Sequence, residues 1–127
     1  MVTRLRRGFT LVELLVVMAI IATLLAIAAP RYLRHLEHAR EAALKETLYV
    51  MRDAIDKYHG DSGRLPDSLQ ELVDKRYLRK LPVDPMTEQS DTWVIEPPPD
   101  AGMTGQMWNI HSGAPGTGSN GEPYANW

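Results

Sequence analysis

Cysteine is absent from the 127 residues. That excludes disulfide staples and thiolate metal sites, so stability has to come from packing or from assembly, and thiol chemistry assigns no compartment. Basic side chains are missing beyond Lys80, where Asp84, Glu88, Asp91, Glu96, Asp100 and Glu122 follow with nothing to balance them. A formal net charge of −2, from 14 lysines and arginines against 16 acids, argues against a nucleic-acid partner held by bulk positive charge. Charge is also scarce near the front. From Phe9 to Ala29 the only charged residue is Glu13, and Thr10 and Thr23 are the only other polar ones. The chain is long enough for one modest domain rather than several.

What precedes the apolar stretch is basic, with Arg4, Arg6 and Arg7 before any acid. Removing those three would leave 11 bases against 16 acids, a charge of −5. The 21 residues from Phe9 to Ala29 would span ~31 Å as a helix, close to the hydrocarbon thickness of a bilayer. A membrane helix is the default reading, with the arginines cytoplasmic and the C-terminal part on the far side. The alternative is a secretory signal peptide cut after Ala26-Ile27-Ala28, which would release a soluble binding protein or enzyme. Against it, the stretch exceeds the ~7 to 15 residues of a signal core, and such a core has no use for a carboxylate near its start.

Glu13 is therefore the most informative residue. An ionised carboxylate inside a membrane helix costs at least ~2.5 to 3.5 kcal/mol, and no basic side chain within the segment offsets it. An α-amino group would, being cationic below a pKa of ~8. A cut after Gly8 would create one on Phe9, a turn before Glu13, free to meet the carboxylate of its own chain or of a neighbouring helix. The competing reading is an acid that snorkels to the membrane interface and is satisfied by water and headgroups.

Arg6-Arg7-Gly8-Phe9-Thr10-Leu11-Val12-Glu13, followed by the apolar stretch, resembles the processing site of type IV pilins and type II secretion pseudopilins. The resemblance implies that a prepilin peptidase/methyltransferase cuts between Gly8 and Phe9 and methylates the new Phe9 amine. It also implies that Glu13 registers subunits in a helical filament, with Leu11, Leu14, Leu15, Ile20, Ile21, Leu24 and Leu25 packing in its core. Pro30 falls where the family often places a proline, which would loosen or kink the helix there. Further implied partners are other copies of the chain, minor pseudopilins, an inner-membrane assembly platform, and membrane lipid before assembly.

After Pro30 the pattern turns amphipathic. Leu33, Leu36, Leu44, Leu48, Met51, Ile55 and Tyr58 fall at helical spacing, while Arg34, Glu37, Arg40, Glu41, Lys45, Glu46, Arg52, Asp53, Asp56 and Lys57 supply a charged side. This predicts a helix through Lys57 or Tyr58 with Gly60 as its stop, and i,i+4 pairs Glu41–Lys45 and Asp53–Lys57. His35 and His38 lie at a metal-compatible spacing without a third ligand, and read as solvated surface residues. Leu65 to Val73 reads as a second, short helix capped by Asp67 or Ser68, with Gln70 or Glu71 completing a capping box. Arg64 to Pro85 resembles the middle of the major pseudopilin. Thr92–Glu96 and Gln106–His111 read as strands separated by Pro97-Pro98-Pro99, with Trp93 and Trp108 expected in the core.

The tail from Ser112 to Trp127 has loop composition. Its glycine spacing imitates a phosphate loop, but Ser119-Asn120 stand where that motif needs Lys and Ser/Thr, and no helix follows. In secretion pseudopilins the equivalent tail often wraps a calcium ion. Here Ser119, Asn120 and Glu122, with Ser112 further off, are the candidate side-chain ligands, and backbone and water would have to supply most of the six to eight oxygens calcium takes. The alternative is a glycine-rich loop held by Tyr124 and Trp127 against the domain. No catalytic constellation stands out, so no enzymatic activity is expected.

These readings converge on an α+β, pilin-like architecture: a leader at 1–8, a transmembrane and filament-core helix at 9–30, and a periplasmic domain at 31–127. In it a short helix and a small antiparallel sheet pack on the soluble half of the long helix. The function this implies is a type II secretion pseudopilus subunit. A type IV pilus subunit serving adhesion, twitching motility or DNA uptake is the alternative, and the missing cysteine pair tilts against it.

Overall fold

The structure, a computed structural model, describes residues 6–127. Residues 1–5 of the expected leader, including Arg4, lie outside it. Helix α1 runs Leu11–Ser62, 52 residues, and is followed by α2 (Leu69–Asp74), strands β1 (Val94–Glu96) and β2 (Asn109–His111), and a 3-10 turn at Tyr124–Asn126. The chain divides between Glu37 and His38 into two compact units.

In the first unit, the helix shows its apolar side chains on all faces. Leu11, Leu14, Leu15, Ile20, Ile21, Leu24 and Leu25 are all exposed, which is the composition of a rod made for an apolar surrounding rather than for water. Pro30 sits inside α1, and the helix continues through it. Leu33 and Leu36 also remain exposed. The buried stripe therefore starts later than the spacing suggests.

In the second unit, that stripe is Leu44, Leu48, Met51, Ile55 and Tyr58, advancing by steps of four and three, with Ala54 beside Ile55 at its edge. Leu65, Leu69, Leu72, Leu78, Met107, Ile110, Ala114 and Tyr124 close over it to form one core. The charged side is less solvated than its composition implies. Arg52 donates from Nε to the Asn109 side-chain oxygen at 2.8 Å, and from Nη2 to the main-chain oxygens of Ile110 at 2.9 Å and Trp127 at 2.5 Å. One guanidinium thus ties α1 to β2 and to the end of the chain. The Asp53–Lys57 pair forms at 2.8 Å. The expected Glu41–Lys45 pair does not, because Glu41 is buried and turned to other partners and Lys45 lies 4.9 Å from the centre of the Trp127 ring.

Gly60 does not stop α1. The stop is Gly63, at φ +75°, whose N–H bonds back to the His59 carbonyl at 2.9 Å; a residue without Cβ takes this left-handed closure at little cost. α2 is shorter than the Leu65–Val73 expectation because Leu65 and Pro66 are used differently. Both are buried, and the Pro66 carbonyl receives the N–H groups of Gln106 and Met107. Ser68 is the cap, accepting the Glu71 N–H at 3.2 Å. The Glu71 carboxylate returns to the N–H of Asp67, at 2.8 Å, rather than to that of the cap itself.

The strands are three residues each and antiparallel, with Val94 opposite His111, Ile95 opposite Ile110 and Glu96 opposite Asn109. Trp93 packs against the core and donates from Nε1 to the Pro82 carbonyl at 2.9 Å. Trp108, expected inside, is 42% exposed, and its neighbour Met107 is fully buried instead. Ile110 is inward, and strict alternation from it would turn Trp108 inward too. The alternation fails there because β2 begins only at Asn109, and the chain just before it is not regular strand.

Glu71 also accepts hydrogen bonds from the Tyr58 hydroxyl, at 2.5 Å, and from Arg64. The Asp67 N–H, then Tyr58 and the Arg64 charge, hold its carboxyl below the ordinary glutamate value. A depressed folded-state pKa adds stability that is complete above the unfolded value of ~4.3 and is lost as pH falls through the folded one. Thermal melts from pH 6 down to pH 3 should show the wild type losing stability across the acid range, and Glu71→Gln starting lower with a shallower loss. Parallel curves for the two proteins would mean that Glu71 makes no such contribution.

Candidate processing and assembly site

Residues 6–10 have no regular structure and are exposed, and α1 begins immediately after them. The Gly8–Phe9 bond lies in this segment. Phe9 is 91% exposed, and a Cβ placed on Gly8 would meet nothing within 4 Å. The bond is therefore exposed and unencumbered, with Phe9 and Thr10 between it and the first helical residue, Leu11.

Glu13 has a partner that the charge argument overlooked. Its Oε2 accepts the Thr10 N–H at 2.8 Å, while Thr10 Oγ1 accepts the Glu13 N–H at 3.1 Å. This reciprocal pair is a capping box: Thr10 is the N-cap, Glu13 the third helical residue, and two otherwise orphaned N–H donors are satisfied. The sequence signal was present as Thr10-Leu11-Val12-Glu13, a Ser/Thr-x-x-Glu pattern opening an apolar run. The carboxylate is thus held at the helix N-terminus, where the helix dipole favours negative charge and where a cut after Gly8 would create an amine.

The comparisons with known proteins bear on the same segment and on the whole chain. Residues 3–29 match the family model of the prokaryotic N-terminal methylation motif. The type II secretion system core protein G of Klebsiella pneumoniae is 29% identical over 138 aligned residues, covering 96% of this chain and 94% of its own. The protein of the same name from Pseudomonas aeruginosa is 32% identical, covering 65% of this chain and 69% of its own. The chain belongs to the type IV pilin-like family, among the type II secretion core protein G pseudopilins. A second branch is also similar: the competence protein ComGC of Halalkalibacterium halodurans is 34% identical over 56% of this pseudopilin and 70% of its own length. No solved structure matches. The helix that follows the motif is long and apolar enough to cross a membrane.

Two of the four calcium candidates of this pseudopilin, Ser112 and Ser119, bond two different carboxylates. Ser112 donates from Oγ to buried Asp84 at 2.5 Å, and the other oxygen of Asp84 accepts the Met86 N–H at 2.8 Å. Ser119 sits on Glu41. The Asn120 side-chain oxygen accepts the Glu122 N–H at 3.0 Å inside the turn, and Glu122 itself is exposed. Gly118 has no room for a side chain, since a Cβ there would lie 2.2 Å from the Trp127 ring. Tyr124 is buried and packs edge-on against Trp127, with ring centres 5.1 Å apart. Among the described residues, no three acidic or histidine side chains gather as a metal group. Ser119 and Asn120 direct their oxygens into the protein's own hydrogen bonds, so the donor set does not fit a calcium cage.

Proposed function

We propose that the chain is the precursor of a structural subunit of a type II secretion pseudopilus, assembled from the inner membrane to drive export of folded proteins. The observation that carries this reading is the near end-to-end similarity to core protein G, joined to a methylation motif that opens an exposed apolar helix. Prepilin peptidase cuts between Gly8 and Phe9 and methylates the Phe9 amine. The arginines stay cytoplasmic, and residues 31–127 face the periplasm.

The role is mechanical rather than enzymatic. Apolar burial at ~25 cal/mol per Å2 keeps the rod out of water in the bilayer and in the fibre alike, so transfer between them is nearly balanced and small charge terms decide its direction. The Phe9 amine of one subunit and Glu13 of its neighbour supply that bias. Assembly brings copies of the chain together with minor pseudopilins on an inner-membrane platform.

Amino-terminal mass spectrometry of the mature protein is expected to find a methylated Phe9 at the start. A start at Ala29 would replace the filament reading with a secreted soluble protein. The similarity to ComGC gives specific support to a second reading, a type IV filament serving DNA uptake. Deletion of the gene separates the two, through lost enzyme secretion on one side and lost transformation or surface fibres on the other.

A further inference from the structure

Glu41 is charged, sits on α1, and is only 4% exposed. Three groups of the C-terminal loop converge on it. The Ser119 N–H reaches Oε1 at 2.8 Å, the Ser119 hydroxyl reaches Oε2 at 2.6 Å, and the Tyr124 hydroxyl reaches Oε1 at 3.1 Å. All three are donors with their positive ends aimed at the carboxylate. A cation site has the opposite polarity, with oxygen lone pairs converging on a vacancy. Both Glu41 oxygens are occupied, and they connect residues 78 and 83 positions apart in the chain.

The rest of the loop is organised around this anchor. Gly118 donates to the Glu122 carbonyl at 2.8 Å and Gly121 to the Gly118 carbonyl at 3.0 Å, closing a turn whose apex carries Ser119 and Asn120. Thr117 pairs with Pro123 across its base. Tyr124 then enters the core and bonds Glu41 from the other side. We propose that the Glu41 carboxylate does for this loop what a bound divalent cation would do. It gathers residues 116–124 onto α1 from a single charged centre, and the order of the tail does not depend on calcium. The inference rests on the pseudopilin reading only in naming calcium as the ion replaced.

The charge of Glu41 is the element that matters. Its carboxyl is held below the ordinary glutamate value, first by the Ser119 hydroxyl, then by the Ser119 N–H, the Tyr124 hydroxyl and the nearby His38. His38 Nδ1 lies 3.8 Å from Oε2 on the same helix. His38 and Tyr124 are the titratable groups that face the carboxylate from α1 and from the 3-10 turn. Because the shift is downward, the anchor is complete above ~pH 4.3 and is lost as pH falls through the depressed value. Acid, and not a chelator, is what releases the loop.

The test uses the full chain in detergent micelles, with limited proteolysis of residues 112–127 and thermal melts in excess calcium or excess EGTA. The wild type is expected to give the same melting temperature and the same tail protection in both. Glu41→Gln is expected to be cut in the tail roughly 10-fold faster or more, equally with and without calcium, since hydrogen bonds to a charge are the stronger kind. If Glu41→Gln does not fold, Ser119→Ala keeps the N–H contact and loses only the hydroxyl. It should cut faster than wild type at unchanged helical circular dichroism. Tail release by EGTA, a calcium-dependent rise in wild-type melting temperature, or wild-type protection in the variant that folds would each overturn the proposal. The pseudopilin reading would survive any of these outcomes, because it rests on the start of the chain.

Discussion

Glu13→Val is expected to leave cleavage between Gly8 and Phe9 intact and to abolish entry of the subunit into fibres. The cut bond lies in the exposed, irregular segment before α1, so removal of a helical side chain leaves it accessible. The loss falls on assembly. A charge-assisted hydrogen bond contributes ~1.5 to 3 kcal/mol, or about 10- to 100-fold in each subunit-addition equilibrium, and a fibre multiplies that factor over every addition.

The capping box makes Glu13→Gln the informative companion. Glutamine can still accept the Thr10 N–H through its side-chain oxygen, and so keeps the helix start that Glu13 provides at 2.8 Å, but it carries no charge for a neighbouring amine. Fibre yield by sedimentation, scored beside amino-terminal mass spectrometry, is expected to be lost for both variants. Normal fibres from Glu13→Gln would show that Glu13 acts as a helix cap alone. Normal fibres from Glu13→Val would remove Glu13 from assembly altogether.

Two adjacent positions should behave oppositely in the second unit. Leu48 is 2% exposed in the core, whereas Tyr49 is 68% exposed. Leu48→Ala is expected to cost ~2 to 5 kcal/mol, through lost transfer energy and the cavity left beneath the sheet and tail. In a unit of this size that lowers the melting temperature by at least about 10 °C. Tyr49→Ala should stay within ~0.5 kcal/mol, as surface replacements do. Thermal melts of the two variants in the same detergent make the comparison. Equal effects would mean that the buried stripe has been placed on the wrong face of α1.

That stripe was legible because its information is local. Leu44, Leu48, Met51, Ile55 and Tyr58 need only helical spacing to share a face, and the start of α1 needs only Gly8 to Glu13. The family resemblance is carried by the same short segment. Glu41 was not legible. It reads as half of an i,i+4 pair with Lys45, and its partners Ser119 and Tyr124 come from the far end of the chain, where no spacing rule links them to a helix. Arg52 reads from spacing as part of the charged side for the same reason, since its acceptors Asn109, Ile110 and Trp127 become neighbours only after the tail folds. Trp108 failed differently. Alternation from buried Ile110 points to Trp108 as its inward neighbour, but β2 starts only at Asn109, and the irregular chain ahead of it turns Met107 inward instead. Gly60 and Gly63 both fit a helix stop by composition, which alone cannot tell which of the two takes the positive φ.

Strand β1 shows a consequence of its own brevity. All three of its residues are exposed, Val94 and Ile95 among them, and its outer margin has no strand beside it among the described residues. Pro97, Pro98 and Pro99 follow at once, and proline contributes no N–H to a growing ladder. An unpaired strand edge is a template for a second chain, and copies brought together would invite amyloid-like stacking. The proline triplet trims this ribbon to a stub, leaving a stray polypeptide too few amides to grip.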